Sequence, residues 1–272
     1  NSINWGRLAP QVAYYFSAYA DLVKQGAIQA GDVINVVVPT GNFGNILAAY
    51  YAREMGLPLG KLICASNQND VLTEFLTTGV YDRQRPFFQT LSPSMDILLS
   101  SNLERLLYHL TKGDALKVAG WMDSLAQNGR YQVDEETLAA LRDIFAAGCA
   151  GDDATKAVIS RVLREEHYLL DPHTAVAWNV AQAYKAQSGD ERYSLIVSTA
   201  SPYKFCRPVL EAVTEAPVPE GADEFALIRQ LADKTATNAP VALTRLERET
   251  VKHQKLVQKD GLEQAVCEWL GV

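Results

Sequence analysis

A segment between a predicted strand and a predicted helix carries the strongest signal for chemistry in this sequence. It reads Pro39-Thr40-Gly41-Asn42-Phe43-Gly44-Asn45. Its two glycines let the backbone turn sharply and leave no Cβ in the way of a ligand. The helix that follows begins with unpaired N–H groups and the positive end of its dipole, which together bind phosphate without any lysine or arginine. We therefore predict a phosphate-binding loop at this position.

A tight turn without a ligand stays open as an alternative for the same segment. The spacing is not the GxGxxG of dinucleotide-binding loops, and no Gly-Lys-Ser/Thr follows as in a Walker A loop. The acidic residue that follows a dinucleotide fingerprint after about 20 residues is also absent. These features argue against a nucleotide-binding α/β domain.

Two further segments carry groups that could bind a ligand. Thr199 lies at the end of a predicted strand, and ligands of parallel α/β sheets bind at the carboxyl ends of strands. Its hydroxyl could exchange one hydrogen bond with a heterocycle nitrogen, or it could cap the next helix. Asn4 and Arg7 carry an amide and a guanidinium three residues apart, which could hold a carboxylate or phosphate or could simply be solvated.

The remaining composition excludes several classes of protein. The four histidines form no Ser/His/Asp set and no paired metal spacing, and the four cysteines include no CxxC pair, so we predict no metal site. The net charge of −7 argues against a nucleic-acid partner. No apolar run approaches the ~20 residues that cross a bilayer, so no membrane partner is predicted. Without a secretory segment, the predicted location is cytoplasmic.

The elements that must position these groups follow a strand–helix–strand–helix order. Apolar runs predict buried parallel strands at 33–39 and 61–65, and helical spacing predicts helices at 8–25, 46–55 and 71–77. After a proline-containing loop at 80–96, further helices are predicted at 102–111, 114–127, 134–146, 153–167 and 173–187, before a third strand at 193–199 and a helix at 204–216.

The predicted fold class is α/β, a parallel sheet with covering helices, plus C-terminal helices. Residues 1–79 and 190–216 are predicted to form the α/β core with the phosphate loop. A mostly helical insertion is predicted at 80–189. Pro217, Pro219 and Gly221 indicate a linker, so residues 217–272 are predicted to form separate C-terminal helices.

Six motifs follow one another along the chain. They are Asn1-Ser2-Ile3-Asn4-Trp5-Gly6-Arg7, Pro39-Thr40-Gly41-Asn42-Phe43-Gly44-Asn45, Asn67-Gln68-Asn69-Asp70, Leu91-Ser92-Pro93-Ser94-Met95-Asp96, Asp171-Pro172-His173-Thr174-Ala175 and Ser198-Thr199-Ala200-Ser201-Pro202-Tyr203-Lys204-Phe205. Together they resemble the C-terminal part of threonine synthase, a fold-type II pyridoxal-phosphate (PLP) enzyme with a tryptophan synthase β-like fold. Each motif alone is weak, whereas six in one order are specific.

The resemblance implies a cofactor, a substrate and a set of site residues. The family uses PLP to convert O-phosphohomoserine and water to L-threonine and phosphate in threonine biosynthesis. By this resemblance the cofactor's phosphate is held by Gly41, Asn42, Phe43, Gly44 and Asn45. Thr199 is implied to face the pyridine nitrogen and to leave it unprotonated, unlike an Asp partner. Asn4 and Arg7 are implied to lie near the substrate.

The sequence departs from the family's pattern in two ways. Ser201 and Tyr203 stand where the family usually has His and Ala, while Thr199 and Lys204 keep their places. The family's Schiff-base lysine, in a Phe-Lys-Asp type motif, has no counterpart here. We therefore expect a fragment that lacks the N-terminal segment of the same chain, with no catalytic residue of its own and no activity alone. A non-catalytic module that binds phosphate or PLP is the alternative.

Overall fold

A computed structural model describes residues 4–252 and 254–272. Within these residues the α-helices are α1 Trp5–Lys24, α2 Gly44–Glu54, α3 Val71–Thr78, α4 Leu103–Leu110, α5 Ala115–Asn128, α6 Glu135–Ile144, α7 Asp152–Glu166, α8 Pro172–Ser188, α9 Cys206–Thr214, α10 Glu224–Thr235, α11 Val241–Thr244 and α12 Leu262–Leu270. The strands are β1 Ile34–Pro39, β2 Leu59–Ser66, β3 Val80–Asp82, β4 Arg130–Gln132, β5 Phe145–Cys149 and β6 Ser194–Ile196. Short 3-10 turns cover Pro93–Met95, Pro202–Phe205, Arg245–Arg248 and Lys259–Gly261.

The main sheet has the strand order β5-β2-β1-β6, and every pair in it is parallel. All six residues of β1 are buried, because helices cover both faces of the sheet. Val36 and Val38 belong to the apolar cluster on the side of α1, α2 and α3, whereas Val37 belongs to the cluster on the side of α8. This alternation follows from the two-residue period of a strand. The predicted fold class, a parallel sheet with covering helices, is confirmed.

One strand of the sheet was not predicted. The sequence prediction extends a helix to residue 146, whereas α6 ends at Ile144 and the chain continues as β5, which pairs with β2. Phe145-Ala146-Ala147-Gly148-Cys149 has no β-branched residue, and its alanines favour a helix by local propensity. The segment 80–189 therefore contributes a strand to the main sheet. The division of the chain into three parts stays a prediction.

Three other boundaries differ from the prediction. α1 begins at Trp5 instead of residue 8, because Asn4 Oδ1 caps it by accepting a 2.8 Å hydrogen bond from the Gly6 N–H. β6 ends at Ile196, so Thr199 lies three residues beyond the strand. The predicted loop at 80–96 contains β3, which pairs antiparallel with β4.

A second apolar cluster lies among α7, α9 and α10 and has Ile159, Val209 and Leu231 at its centre. Through this cluster α9 packs against both α7 and α10. By contrast, α12 buries none of its described residues. Across the described residues, no helix is both long and apolar enough to cross a membrane.

Asn35 joins three segments at the amino ends of the strands. Gly60 and Lys61 of β2 lie opposite this one residue of β1, because the register shifts between Ile34 and Val36. Asn35 Oδ1 accepts from the Lys61 N–H at 2.9 Å, and its Nδ2 donates to Asp190 Oδ2 at 2.9 Å. The buried amide of Asn35 therefore fixes β6 against β1 and β2, since Asp190 lies just before β6.

Replacing Gly60 with alanine is expected to destabilise the fold by about 1–3 kcal/mol. The added Cβ would lie 2.6 Å from the Arg192 guanidinium, which can move, and 2.7 Å from Asn35 Oδ1, which is held at both ends of its amide. Urea denaturation should show a lower midpoint with an unchanged slope. Gly120→Ala, inside α5 with no atom within 4 Å of its added Cβ, is the control and should be neutral or slightly stabilising. Equal midpoints for the two variants would contradict the clash.

Candidate functional site

A cavity of about 360 Å³ lies at the carboxyl ends of β1 and β6. It is lined by the loop after β1, by the loop after β6, by residues 94–95, and by side chains from α1 and the start of α8. The chain passes from β1 to β2 on one side, whereas β6 joins β1 on the other. The cavity therefore lies where the strand order reverses, which is the usual ligand position in an open α/β sheet.

The loop after β1 turns at Phe43, which is not a glycine. Phe43 has a φ of 62°, in the left-handed region, and directly precedes α2. Its side chain is buried and packs on Phe145 with ring centroids 5.8 Å apart, so the core stabilises this uncommon conformation. Gly41 and Gly44 do not have positive φ, so the expectation that the glycines make the turn was wrong.

Gly41 has a different role, which is close contact with another loop. A Cβ at Gly41 would lie 2.6 Å from the Ser94 carbonyl oxygen and 3.3 Å from the Met95 Cα. Both atoms belong to backbone, so neither can move aside as a flexible side chain would. Only glycine allows the loop after β1 and the segment between β3 and α4 to approach this closely.

The carbonyl groups of the loop point into the protein. Ser100 Oγ donates to the Gly41 carbonyl at 3.0 Å, and Asn102 Nδ2 donates to the Asn42 carbonyl at 2.7 Å. Within the described parts of the chain, the backbone N–H groups of residues 41–46 have no hydrogen-bond acceptor. The protein therefore binds the carbonyl groups of Gly41 and Asn42, whereas the amide N–H groups at the amino end of α2 are left for a ligand.

The hydroxyl of Tyr15 in α1 holds Asn45 in its orientation. The Tyr15 hydroxyl donates to the Asn45 carbonyl at 3.0 Å and also contacts Asn45 Oδ1. Tyr15 is buried, and desolvation raises the pKa of its phenol well above the ordinary value, so the hydroxyl keeps its proton. Because the oxygen of the Asn45 amide is engaged, its NH2 group is the part that can donate into the cavity.

The charge of the cavity favours an anion. Arg7 and Lys204 line it, both are exposed, and no aspartate or glutamate is among its described lining residues. Elsewhere in the chain, as far as it is described, no group of three His, Cys, Asp or Glu side chains could hold a metal ion. The cavity therefore suits a ligand with one or more negative groups.

Most of the site residues predicted from the sequence come together. The cavity is lined by Gly41, Asn42, Phe43, Gly44, Asn45, Thr199 and Arg7. Asn4 does not line it, because this residue caps α1 with its side-chain oxygen. Asn1-Ser2-Ile3 of the first motif lie outside the described residues. Whether the residues in the cavity bind the groups assigned to them stays a prediction.

The sequence prediction assigned no role to several residues that also line the cavity. These are Gln11, Ser94, Met95, His173, Ala200, Lys204 and Phe205. Ser94 and His173 belong to motifs that carried the family resemblance, so a signal was present. Asp171 before Pro172 also indicates the start of a helix. His173, in the first turn of that helix, lies at the cavity.

A buried amide network joins the loop after β2 to residues 90–96, which lie between β3 and α4. Asn67 Nδ2 lies 2.8 Å from Thr90 Oγ1, 3.0 Å from Ser92 Oγ and 2.7 Å from Asp96 Oδ1, and its two hydrogens are shared among these oxygens. Asn69 Nδ2 also donates to Asp96 Oδ1, at 3.1 Å. The network bends residues 90–96 back over the end of β2, which brings Ser94 onto Gly41.

Comparisons with known proteins agree with this geometry. No protein-family model matches the chain. Human threonine synthase-like 1 is 46% identical over 215 residues, which are 78% of this chain and 28% of that protein. The solved structure of threonine synthase from yeast has a TM-score of 0.84 at 33% identity and covers 100% of this chain and 53% of that one. PLP-bound threonine synthase from Brucella melitensis has a TM-score of 0.73 at 40% identity, with coverages of 88% and 48%.

The chain thus spans 28% of the curated relative and about half of each solved relative. The resemblance that the six motifs indicated is confirmed by these matches. The fold of the two solved relatives also confirms the predicted kind of α/β fold.

Replacing Tyr15 with phenylalanine is expected to cost about 1–3 kcal/mol of stability, because the Asn45 carbonyl loses a buried donor. Tyr14→Phe, at the neighbouring position with a 57% exposed side chain, is the matched control and should stay within about 0.5 kcal/mol. Thermal and urea unfolding of both variants measure the difference. If Tyr14→Phe costs as much as Tyr15→Phe, the bond to Asn45 is not what stabilises the loop.

Proposed function

We propose that this chain, which matches the C-terminal part of threonine synthases, forms the half of such an enzyme that holds PLP by its phosphate and ring. The proposed enzyme converts O-phosphohomoserine and water to L-threonine and phosphate. The observation that carries the proposal is the run of N–H groups at residues 41–46, without acceptors in the described chain, at the amino end of α2. The Brucella melitensis relative is PLP-bound, which supports the same cofactor here.

The residues present fit PLP at both of its polar ends. A phosphate group accepts several hydrogen bonds at once, and the amides of the loop supply donors for it without a counter-cation. Thr199 lines the same cavity and carries a neutral hydroxyl, which is suited to a pyridine nitrogen. Because no carboxylate lines the cavity among the described residues, nothing there would favour a protonated nitrogen. PLP, when bound, supplies a ring that draws electrons from the substrate.

The cations of the cavity fit the substrate. O-phosphohomoserine carries a phosphate and a carboxylate, and Arg7 and Lys204 lie at the same cavity as the amide loop. We assign Arg7 to a substrate anion, because its guanidinium fork matches planar or tetrahedral oxyanions. Asn4 is assigned nearby through its NH2 group, since its oxygen is used to cap α1.

The chain brings no catalytic residue of its own to this proposal. The family's lysine motif has no counterpart among the 272 residues, and without that lysine the covalent step on the cofactor has no nucleophile. We therefore propose that the lysine comes from a segment outside these residues. A cytoplasmic location is part of the proposal. A non-catalytic module for phosphate or PLP is the second candidate, favoured by the presence of a complete amide loop without that lysine.

Replacing Gly41 with alanine is expected to weaken PLP binding at least about tenfold, because the new Cβ forces the amide loop away from Ser94. Absorbance titration with PLP and calorimetry with inorganic phosphate measure the two affinities. Gly120→Ala is again the control and should bind as the parent does. Equal affinities for the two variants, or no PLP binding by the parent chain, would contradict the assignment of the loop.

The purified 272-residue chain is expected to release no phosphate from O-phosphohomoserine, whereas the complete product of its gene should do so when PLP is supplied. A coupled assay for inorganic phosphate, together with chromatographic detection of threonine, measures both. Turnover by the chain alone would contradict the missing nucleophile. A complete product that binds PLP but never turns over would instead favour the non-catalytic module.

A further inference from the structure

His173 is a buried group beside the cavity that the proposed function leaves without a role. Its ring is 2% exposed and lies in the first turn of α8. Both ring nitrogens have partners, since Nδ1 lies 3.0 Å from Asp171 Oδ1 and Nε2 lies 3.2 Å from the Ser94 amide nitrogen. A carboxylate accepts and an amide N–H donates, so Nδ1 carries the proton and Nε2 accepts. The two contacts therefore select one tautomer of the imidazole.

The ring cannot turn away from this arrangement easily. Asp171 is held as the cap of α8, where it accepts from the His173 N–H at 2.9 Å and from the Thr174 hydroxyl. On its face, the His173 ring packs against Phe205 with centroids 4.9 Å apart. Carboxylate, helix start and aromatic contact together aim Nε2 at Ser94.

Ser94 transmits that constraint to the phosphate loop. Its N–H donates to His173 Nε2, while its carbonyl oxygen lies 2.6 Å from the position that a Cβ of Gly41 would take. The adjacent Met95 is buried in the apolar cluster beneath the sheet, so the segment can rotate only by breaking core contacts or the bond to His173. The amide of Ser94 and the shape of the loop at Gly41 are therefore coupled.

We propose that His173 is a positioning residue for the anion site, which acts through Ser94 to keep the amides of residues 41–46 convergent. This inference rests on the proposed function, because it assumes that those amides bind a phosphate group. His173 does not serve as a general base in this arrangement, since the lone pair of Nε2 is engaged by the Ser94 N–H.

Two substitutions of His173 distinguish its hydrogen bond to the Ser94 N–H from the packing of its side chain. His173→Asn places an amide near Nδ1 and cannot reach Ser94, whereas His173→Gln can place an oxygen near the position of Nε2. We expect His173→Asn to weaken binding of inorganic phosphate and of PLP about tenfold, and His173→Gln to stay within about threefold of the parent, because only Asn leaves the Ser94 N–H unbound. Calorimetry with inorganic phosphate and absorbance titration with PLP are the two readouts.

Thr174→Val is the matched control for stability. It removes a hydroxyl bond to the same Asp171 at the same helix start but does not touch Ser94. We expect it to lower the unfolding midpoint and to leave both affinities within about twofold. If Thr174→Val and His173→Gln weaken binding as much as His173→Asn does, His173 is only structural and the proposal is overturned.

A measurement on the unsubstituted protein keeps the proposal testable if a variant fails to fold. Hydrogen exchange followed by NMR should find the Ser94 amide strongly protected, although Ser94 is exposed, because a buried imidazole accepts from it. Exchange as fast as that of a free amide would overturn the proposal. If the parent protein binds neither phosphate nor PLP, the proposed function fails. If it binds both and His173→Asn binds equally well, only this inference fails.

Discussion

The site depends on direct backbone contact between two loops, at Gly41 and Ser94. The loop with Gly41 leaves the carboxyl end of β1, whereas Ser94 lies in the segment between β3 and α4, so the parallel pairing of strands does not by itself bring the two into contact. The buried network around Asn67 bends one loop inward, and Ser100 and Asn102 hold the carbonyls of the other. An anion site made of main-chain amides requires such external control, because a free loop would satisfy its own N–H groups or leave them to water.

This design would let a protein with a net charge of −7 present the proposed site for anions. Backbone amides carry no net charge, so their alignment at the amino end of α2 is independent of the overall balance of acidic and basic residues. A hydrogen bond to a charged group contributes about 1.5–3 kcal/mol when its geometry is good. A few convergent amides can therefore bind an anion about as strongly as a cationic side chain does. Arg7 and Lys204 add positive charge at the cavity, where the described lining has no carboxylate to oppose them.

Local sequence pattern predicted the elements on either side of the loop at 39–45, but it did not predict every element that packs around this loop. The β-branched run of β1 and the capped amphipathic helices follow from periodicity, and the loop at 39–45 follows from its residue types. Ala146, Ala147 and Gly148 gave no strand signal, because β5 is stabilised by pairing with β2 rather than by propensity. His173 and Ser94 could not be paired from the sequence, since 79 residues separate them and only the tertiary fold brings them together.

The two departures from the family's motif near β6 do not line the cavity. Thr199, Ala200, Lys204 and Phe205 line the cavity, whereas Ser201 and Tyr203 do not. Tyr203 is buried in the cluster of α7, α9 and α10, and its hydroxyl lies 2.6 Å from Thr237 Oγ1 just beyond α10. A tyrosine in place of a small residue therefore adds apolar area and a polar contact between the loop after β6 and the C-terminal helices. The departure at Tyr203 thus lies in a contact with the C-terminal helices, and Thr199, Ala200, Lys204 and Phe205 at the cavity keep the family's pattern.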